Sequence, residues 1–235
     1  MSSIYLKQGF QITMKLLYQN SDFAIVSKPA GMNFHSEDEA GFVVLASEML
    51  GCKLFPVHRL DKMTSGLVIL AKSSEVANSF LKLFESREIE KYYLAISLRK
   101  PKKKMGKVVG DMQKSRRGSW KLLHTKENPA ITRFISASLN PGEKLFLVKP
   151  YTGKTHQIRV ALKSVGSPIA GDERYAAAEE AKKLDRGYLH AYALRFVFKG
   201  ESYSFKLPPD EGELFLTKEC KEQIELWDNP EELFK

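Results

Sequence analysis

Cysteine is nearly missing from this chain. Cys52 and Cys220 are the only two in 235 residues. Two, so far apart, build neither a disulfide framework nor a zinc knuckle, and a reducing cytoplasm is the default expectation. Long apolar runs are also absent: none approaches the roughly 20 residues that a membrane span needs. Met1 to Met14 lacks the charged-then-apolar plan of a signal peptide. There is no phosphate-cradling Gly-x-x-x-x-Gly-Lys loop and no clustered set of metal ligands, so no cofactor is expected. Acid is the scarcer charge, with 28 Asp and Glu against 37 Lys and Arg, a net +9. That excess favours a polyanionic partner, nucleic acid or an anionic surface. At 43% hydrophobic and 28% charged the chain is ordinarily globular, with ample material for a core. No internal repeat or low-complexity linker divides it.

The densest information lies between Val57 and Lys72. Leu67 to Ala71 is an unbroken apolar run bounded by Gly66 and Lys72, the pattern of a buried strand. Just before it, His58, Arg59, Asp61 and Lys62 crowd together, and ionisable groups beside a buried element need partners. Asp61 is the only acid among them. Two readings stand: a salt-bridged loop capping a core strand, or a functional site.

Upstream, Leu16–Tyr18 and Phe23–Val26 read as strands around the turn residues Asn20-Ser21-Asp22. Lys28-Pro29-Ala30-Gly31 then breaks the ladder. Phe42 to Met49 has helical spacing, and Ser73 or Ser74 caps an amphipathic helix through Val76, Phe80, Leu83 and Phe84. Lys91 to Ser97 reads as a strand with Tyr93, Ala95 and Ser97 on one face. From Arg99 to Lys126 there are eleven Lys and Arg against one acid, Asp111, with Trp120 and His124 as flat groups for stacking. Gly106, Gly110 and Gly118 interrupt any long helix there. This segment reads as a basic loop gripping phosphates, through Lys103, Lys104, Arg116 and Arg117. Strands over 131–138 and 144–149 flank the turn at Asn140-Pro141-Gly142. Ile158, Ala161, Leu162 and Val165 then recur with helical period, which puts Arg159 near a helix start. An alternating hairpin runs through Phe198 and Ser202–Leu207. Phe215 to Phe234 reads as a peripheral helix ending before Pro230.

Several of these stretches are similar to one family. His58-Arg59-Leu60-Asp61, followed by Thr64-Ser65-Gly66 and an apolar strand ending Ala71-Lys72, resembles the signature of the RluA family of RNA pseudouridine synthases. Lys91-Tyr92-Tyr93-Leu94-Ala95 resembles its second motif, and Thr152-Gly153-Lys154-Thr155-His156-Gln157-Ile158-Arg159-Val160 its third. The Lys28-Pro29-Ala30-Gly31 opening, the Gly166 to Tyr175 loop and Leu189-His190-Ala191 also match. One departure is Ala161, where a histidine is expected. The resemblance implies an α+β fold, with a mixed, largely antiparallel sheet flanked by helices and an RNA cleft across its middle. It implies one catalytic domain over residues 1–235, with a core over 16–207, the basic segment over 99–126 and a C-terminal helical extension over 213–235. No small RNA-binding domain is expected before it.

By resemblance, Asp61 is the catalytic residue, Tyr93 packs on the target base and Arg159 pairs with Asp61. Arg59, helped by His58, fills the space the base leaves, and Thr64, Lys154 and His156 join them on the RNA side. The isomerisation conserves atoms, so it requires no energy source or redox cofactor. It requires an ionised carboxylate at the ribose, and a paired guanidinium opposes the rise in pKa that burial causes. Transfer RNA, ribosomal RNA or both are the implied substrates, and a monomer is the default. Two alternatives compete. A metal hydrolase built from His35, His58, Asp61, His156 and His190 lacks any i, i+4 ligand pair. A non-catalytic RNA-binding module fits the basic segment but gives no reason to keep Asp61, Tyr93 and Arg159 together.

Overall fold

In the computed structural model, residues 4–7, 10–37 and 40–235 are described. The chain opens with a hairpin, β1 (Ile4–Lys7) and β2 (Phe10–Thr13), which the sequence pattern had not suggested. Then follow β3 (Leu16–Gln19), β4 (Phe23–Lys28), α1 (Phe42–Leu50), β5 (Phe55–Pro56), β6 (Ser65–Ala71), α2 (Ser74–Glu85) and β7 (Glu90–Ser97). The basic segment supplies β8 (Met105–Gly110), β9 (Met112–Lys114) and β10 (Trp120–Leu122). The remainder is β11 (Ala130–Ser138), β12 (Lys144–Pro150), α3 (Gln157–Ser164), α4 (Ala178–Ala181), β13 (Leu189–Phe198), β14 (Glu201–Lys206) and α5 (Lys218–Leu226).

Ten strands form one sheet in the order β3-β4-β6-β13-β7-β12-β11-β8, with β14 joined to β13 and β5 to β6. Its pairings are antiparallel except β6 with β13, which run parallel at Ser65 and Gly66. The sheet is mixed and largely antiparallel, as expected of the α+β class. β6 shows why its sequence is an unbroken apolar run. Leu67, Ile69 and Ala71 enter one core cluster, and Val68 and Leu70 enter another on the opposite side. A strand covered on both faces has no solvent side, so alternation vanishes. Each fully buried aliphatic side chain there contributes about 1.5–3 kcal/mol.

Helices close the two faces. α2 covers the first cluster with Val76, Ala77 and Phe80, and its Ser73 hydroxyl accepts from Val76 N–H at 3.2 Å as the N-cap. α1 covers the second with Phe42, Leu45 and Ala46. α3 and α5 pack on the third and largest cluster, around β7 and β12. The C-terminal segment is therefore not peripheral: Phe215, Cys220, Ile224, Trp227 and Phe234 are part of that core. Among the described residues no helix is long and apolar enough to cross a membrane.

The sheet register positions the site. Lys28 pairs with Gly66, Gly66 with Ala191, Ala191 with Tyr93 and Tyr93 with Val148. Gly66 has φ of 109°, and a Cβ there would lie 2.3 Å from the Ala191 carbonyl oxygen. Only glycine lets β13 come this close to the head of β6.

Candidate active site

The loop from Val57 to Thr64 is held from several sides. Val57 and Leu60 are buried, and the Thr64 N–H closes a turn by donating to the Asp61 carbonyl at 2.9 Å. His58 is used inside the protein. Its Nε2 accepts from the Ile69 N–H at 2.9 Å, and its ring lies 5.0 Å from that of Phe84. Burial, and then the Lys91 charge, pull its pKa down to about 3. Lys28, only 1% exposed, donates to the carbonyls of Pro29 at 2.9 Å, Lys62 at 3.2 Å and Thr64 at 2.9 Å. Burial lowers its pKa to about 7, opposed by the Glu211 carboxylate. Pinned on its flanks, the loop presents Asp61 with its side chain 23% exposed.

Arg159 reaches Asp61 from the first turn of α3. Gln157 anchors that turn: its Nε2 donates to the Ile131 carbonyl and Thr132 hydroxyl, and its Oε1 accepts from Thr152 and the Lys154 N–H. Arg159 Nη1 donates to Asp61 Oδ2 at 2.9 Å. Its Nε and Nη2 grip Asp172 Oδ2 and Oδ1 at 2.7 and 2.8 Å, the planar two-point geometry for which guanidinium is suited. Asp172, 1% exposed, also accepts from the Arg174 and Tyr175 N–H groups. Burial works against the Arg159 charge, but Asp172 and then Asp61 outweigh it and hold its pKa above the ordinary arginine range. His156, at φ 56° before α3, places Nε2 3.9 Å from Asp61 Oδ2. Oδ2 is thus occupied, whereas no hydrogen bond from the described residues reaches Oδ1.

Tyr93 stands on β7 two strands from the Asp61 loop, its ring packed between two core clusters. Burial, and then the Asp61 charge, push its phenol above the usual tyrosine range. Asp61 and Arg159, 98 positions apart in sequence, therefore meet in a direct ion pair, whereas Tyr93 is not among the residues that line the cleft above Asp61.

Above Asp61 opens a cleft of about 1030 Å³, at the upper end for ligand pockets. Arg59, Lys62, Arg116, Arg117, His156, Arg159 and Arg174 line one part of it, and Met63, Leu184, Asp185, Arg186, Glu211 and Gly212 another. Arg186 is paired with Glu211 at 2.8 Å. Arg59, Lys62, Arg116 and Arg117 have no ion-pair partner among the described residues.

The basic segment is not a loop. It forms edge strand β8 and the β9–β10 hairpin, whose tip at Ser115–Ser119 lies over the cleft. Two contacts seat it: Trp120 N–H donates to the Tyr175 hydroxyl at 2.8 Å, and Arg174 Nη1 to the Arg117 carbonyl at 2.8 Å. Arg116 and Arg117 so reach the cleft with Arg59 and His156. The other residues expected on the RNA side do not line it. Thr64 is 2% exposed, too covered to meet a substrate, and His58 is committed to Ile69. Lys154 donates to Asn128 at 2.9 Å. Lys103 and Lys104 are exposed at the start of β8. Asp172 and Tyr175 were missed as site residues, although the Gly171-Asp172 loop matched the family pattern. The five residues of the metal-hydrolase alternative are not gathered, and no three potential metal ligands cluster among the described residues.

Comparison with known proteins shows the family. The family model described as RNA pseudouridylate synthase matches residues 22–164, more than half of the chain. An uncharacterized RNA pseudouridine synthase of Haemophilus influenzae is 47% identical over 216 residues, covering 91% of this chain and 96% of that protein. The tRNA pseudouridine synthase C of the same organism is 29% identical, covering 89% of this chain and 94% of its own. Human RNA Pseudouridylate Synthase Domain Containing 1 shares the fold, with a TM-score of 0.73 at 20% identity over 95% of this chain and 98% of that one. With a cationic cleft over Asp61 and this breadth of likeness, the chain belongs to the RNA pseudouridylate synthase family, isomerases that convert uridine in RNA to pseudouridine.

Proposed function

We propose that this protein isomerises uridine in transfer RNA, acting as a cytoplasmic monomer whose whole chain is one catalytic domain, with Asp61 Oδ1 as the oxygen that acts at the ribose. The observation that carries this is the Arg159 bridge: one guanidinium ties Asp61 Oδ2 to the buried Asp172, at the floor of a cleft with unpaired cations. Holding Oδ2 leaves Oδ1 to meet C1′ or the C2′ proton. The N1–C1′ bond breaks, the base turns, C5 bonds to C1′, the C5 proton leaves and N1 gains a proton. Tyr93, whose phenol feels the Asp61 charge, stacks on the uracil near C5.

Extruding a uridine from the RNA stack costs a few kcal/mol. Arg59, exposed and unpaired at the cleft, braces the vacated space with its planar head. Arg116 and Arg117 take phosphates from the hairpin side. The likeness to a transfer RNA enzyme over nearly the full length of both chains supports that substrate class, and Cys52 and Cys220, both free thiols, suit a reducing compartment.

The test is tritium release from transfer RNA and, separately, ribosomal RNA, each labelled at uridine C5 and taken from cells lacking the gene, without added metal or nucleotide. Wild type releases tritium from transfer RNA. Asp61→Asn releases none, while its RNA affinity stays within a few-fold. Substantial turnover by Asp61→Asn sinks the assignment. Tight, salt-sensitive binding with no release by wild type favours a binding module instead.

A further inference from the structure

Tyr175 takes part in no step described above, yet it is 4% exposed and touches every group around Asp61 Oδ2. The Arg159 guanidinium lies over its ring at 5.0 Å. Its hydroxyl accepts from the Trp120 N–H at 2.8 Å and lies 2.8 Å from His156 Nδ1. The other nitrogen of His156 faces Asp61 Oδ2 at 3.9 Å. Four elements therefore meet in one line: β10, the Asp172–Tyr175 loop, the head of α3 and the Asp61 loop.

Donor and acceptor counting gives this line a direction. One hydrogen lies between the Tyr175 oxygen and His156 Nδ1. If His156 supplied it, the phenol proton would need another acceptor, and the described residues offer none. The phenol therefore donates to Nδ1, and a neutral His156 carries its proton on Nε2. The groups facing His156 agree. Arg159 and Arg174, together with burial, disfavour a charged ring, against the carboxylates of Asp61 and Asp172. A carboxylate opposite Nε2 favours the proton there.

We propose that Tyr175 and His156 are positioning residues for Asp61: the hydrogen-bond direction from Trp120 N–H through the Tyr175 hydroxyl to His156 Nδ1 fixes the Nε2–H tautomer, which turns a donor toward Oδ2. With Arg159 on the same oxygen, the carboxylate is oriented so that Oδ1 points to substrate. This rests on the reading of Asp61 as the acting carboxylate.

The test uses the full chain labelled with ¹⁵N-histidine. Five histidines give few signals, and His156→Gln assigns the relevant pair. At pH 7.5 the wild-type ring shows the Nε2–H pattern. Tyr175→Phe, which keeps the ring beneath Arg159, shows a mixed or reversed tautomer. Its single-turnover tritium release at saturating transfer RNA falls about tenfold; the rate is read at saturation because the hairpin that carries Arg116 and Arg117 also loses its Tyr175 seat and the transfer RNA Kd rises with it. An Nδ1–H or charged ring in wild type overturns the proposal, as does Tyr175→Phe with an unchanged rate. If Tyr175→Phe does not fold, the wild-type spectrum alone decides. The spectrum needs no turnover, so an active Asp61→Asn would discredit the carboxylate reading without touching the tautomer result.

Discussion

Two enclosed histidines, His190 buried and His58 half-buried, make the protein's stability depend on acid. His58 has its pKa pulled to about 3 by burial and Lys91. His190, 1% exposed, is pulled to about 4 by burial, against the Leu207 carbonyl that its Nε2 meets at 2.7 Å. Between these values and the unfolded 6.5, the unfolded chain binds protons that the folded one refuses, so stability falls as pH falls. At pH 5 the buried His190 ring costs about 2 kcal/mol relative to pH 7.5, and the half-buried His58 ring costs less. Urea denaturation at the two pH values checks this, with His58→Gln losing distinctly less than wild type; equal losses would count against it. At this scale the pairing of Asp61 with Arg159 was readable because each sits in a long motif. Asp172 was not, because a carboxylate in a loop gives no sign that it will be buried against a guanidinium thirteen positions earlier. His58 misled for the opposite reason: a histidine inside a charged motif looks functional until its Nε2 is found on a strand amide.

At the scale of elements, the junction of β6 with β13 is the most constrained. Gly66→Ala places a methyl group 2.3 Å from the Ala191 oxygen at a φ of 109°. It destabilises by more than about 3 kcal/mol, measured by chemical denaturation, and a near-neutral variant would mean that β13 can withdraw freely. The β9–β10 hairpin carries a different prediction. Arg116→Ala and Arg117→Ala each weaken transfer RNA binding and reduce the salt slope of log Kd by up to about one. Lys103→Ala with Lys104→Ala, away from the cleft, leaves turnover within about twofold. The reverse pattern in a filter-binding salt titration would move the RNA path to the start of β8. α1, α2, α3, α5 and most strands were legible from periodicity, and β6 from its unbroken apolar run, whereas α4 was not marked. β8, β9 and β10 were not, because lysines and glycines dilute the alternation, and exposed edge and hairpin strands need little of it.

Across the whole molecule, three core clusters share one sheet, and the last residues of the described chain complete the largest of them. Trp227 is 6% exposed and Phe234 5%, and the Phe234 ring lies 6.0 Å from that of Tyr92 on β7. Trp227→Ala therefore costs about 3–5 kcal/mol of global stability, and a loss below about 1 kcal/mol in thermal denaturation would show α5 to be a loose appendage. The sequence marked a helix within Phe215 to Phe234, but nothing there named its partner surface. The seating of the hairpin on Arg174 and Tyr175 has a practical corollary. Both seating bonds use main-chain atoms of the hairpin, the Trp120 N–H and the Arg117 carbonyl. The side chains at its tip can thus change without unseating it, within the left-handed backbone of Arg117 at φ 53°, and a library varying Arg116 and Arg117 tunes RNA affinity on an unaltered scaffold. Gly118 is the position such a library must leave alone, since a Cβ there meets Arg174 Nη1 at 2.6 Å.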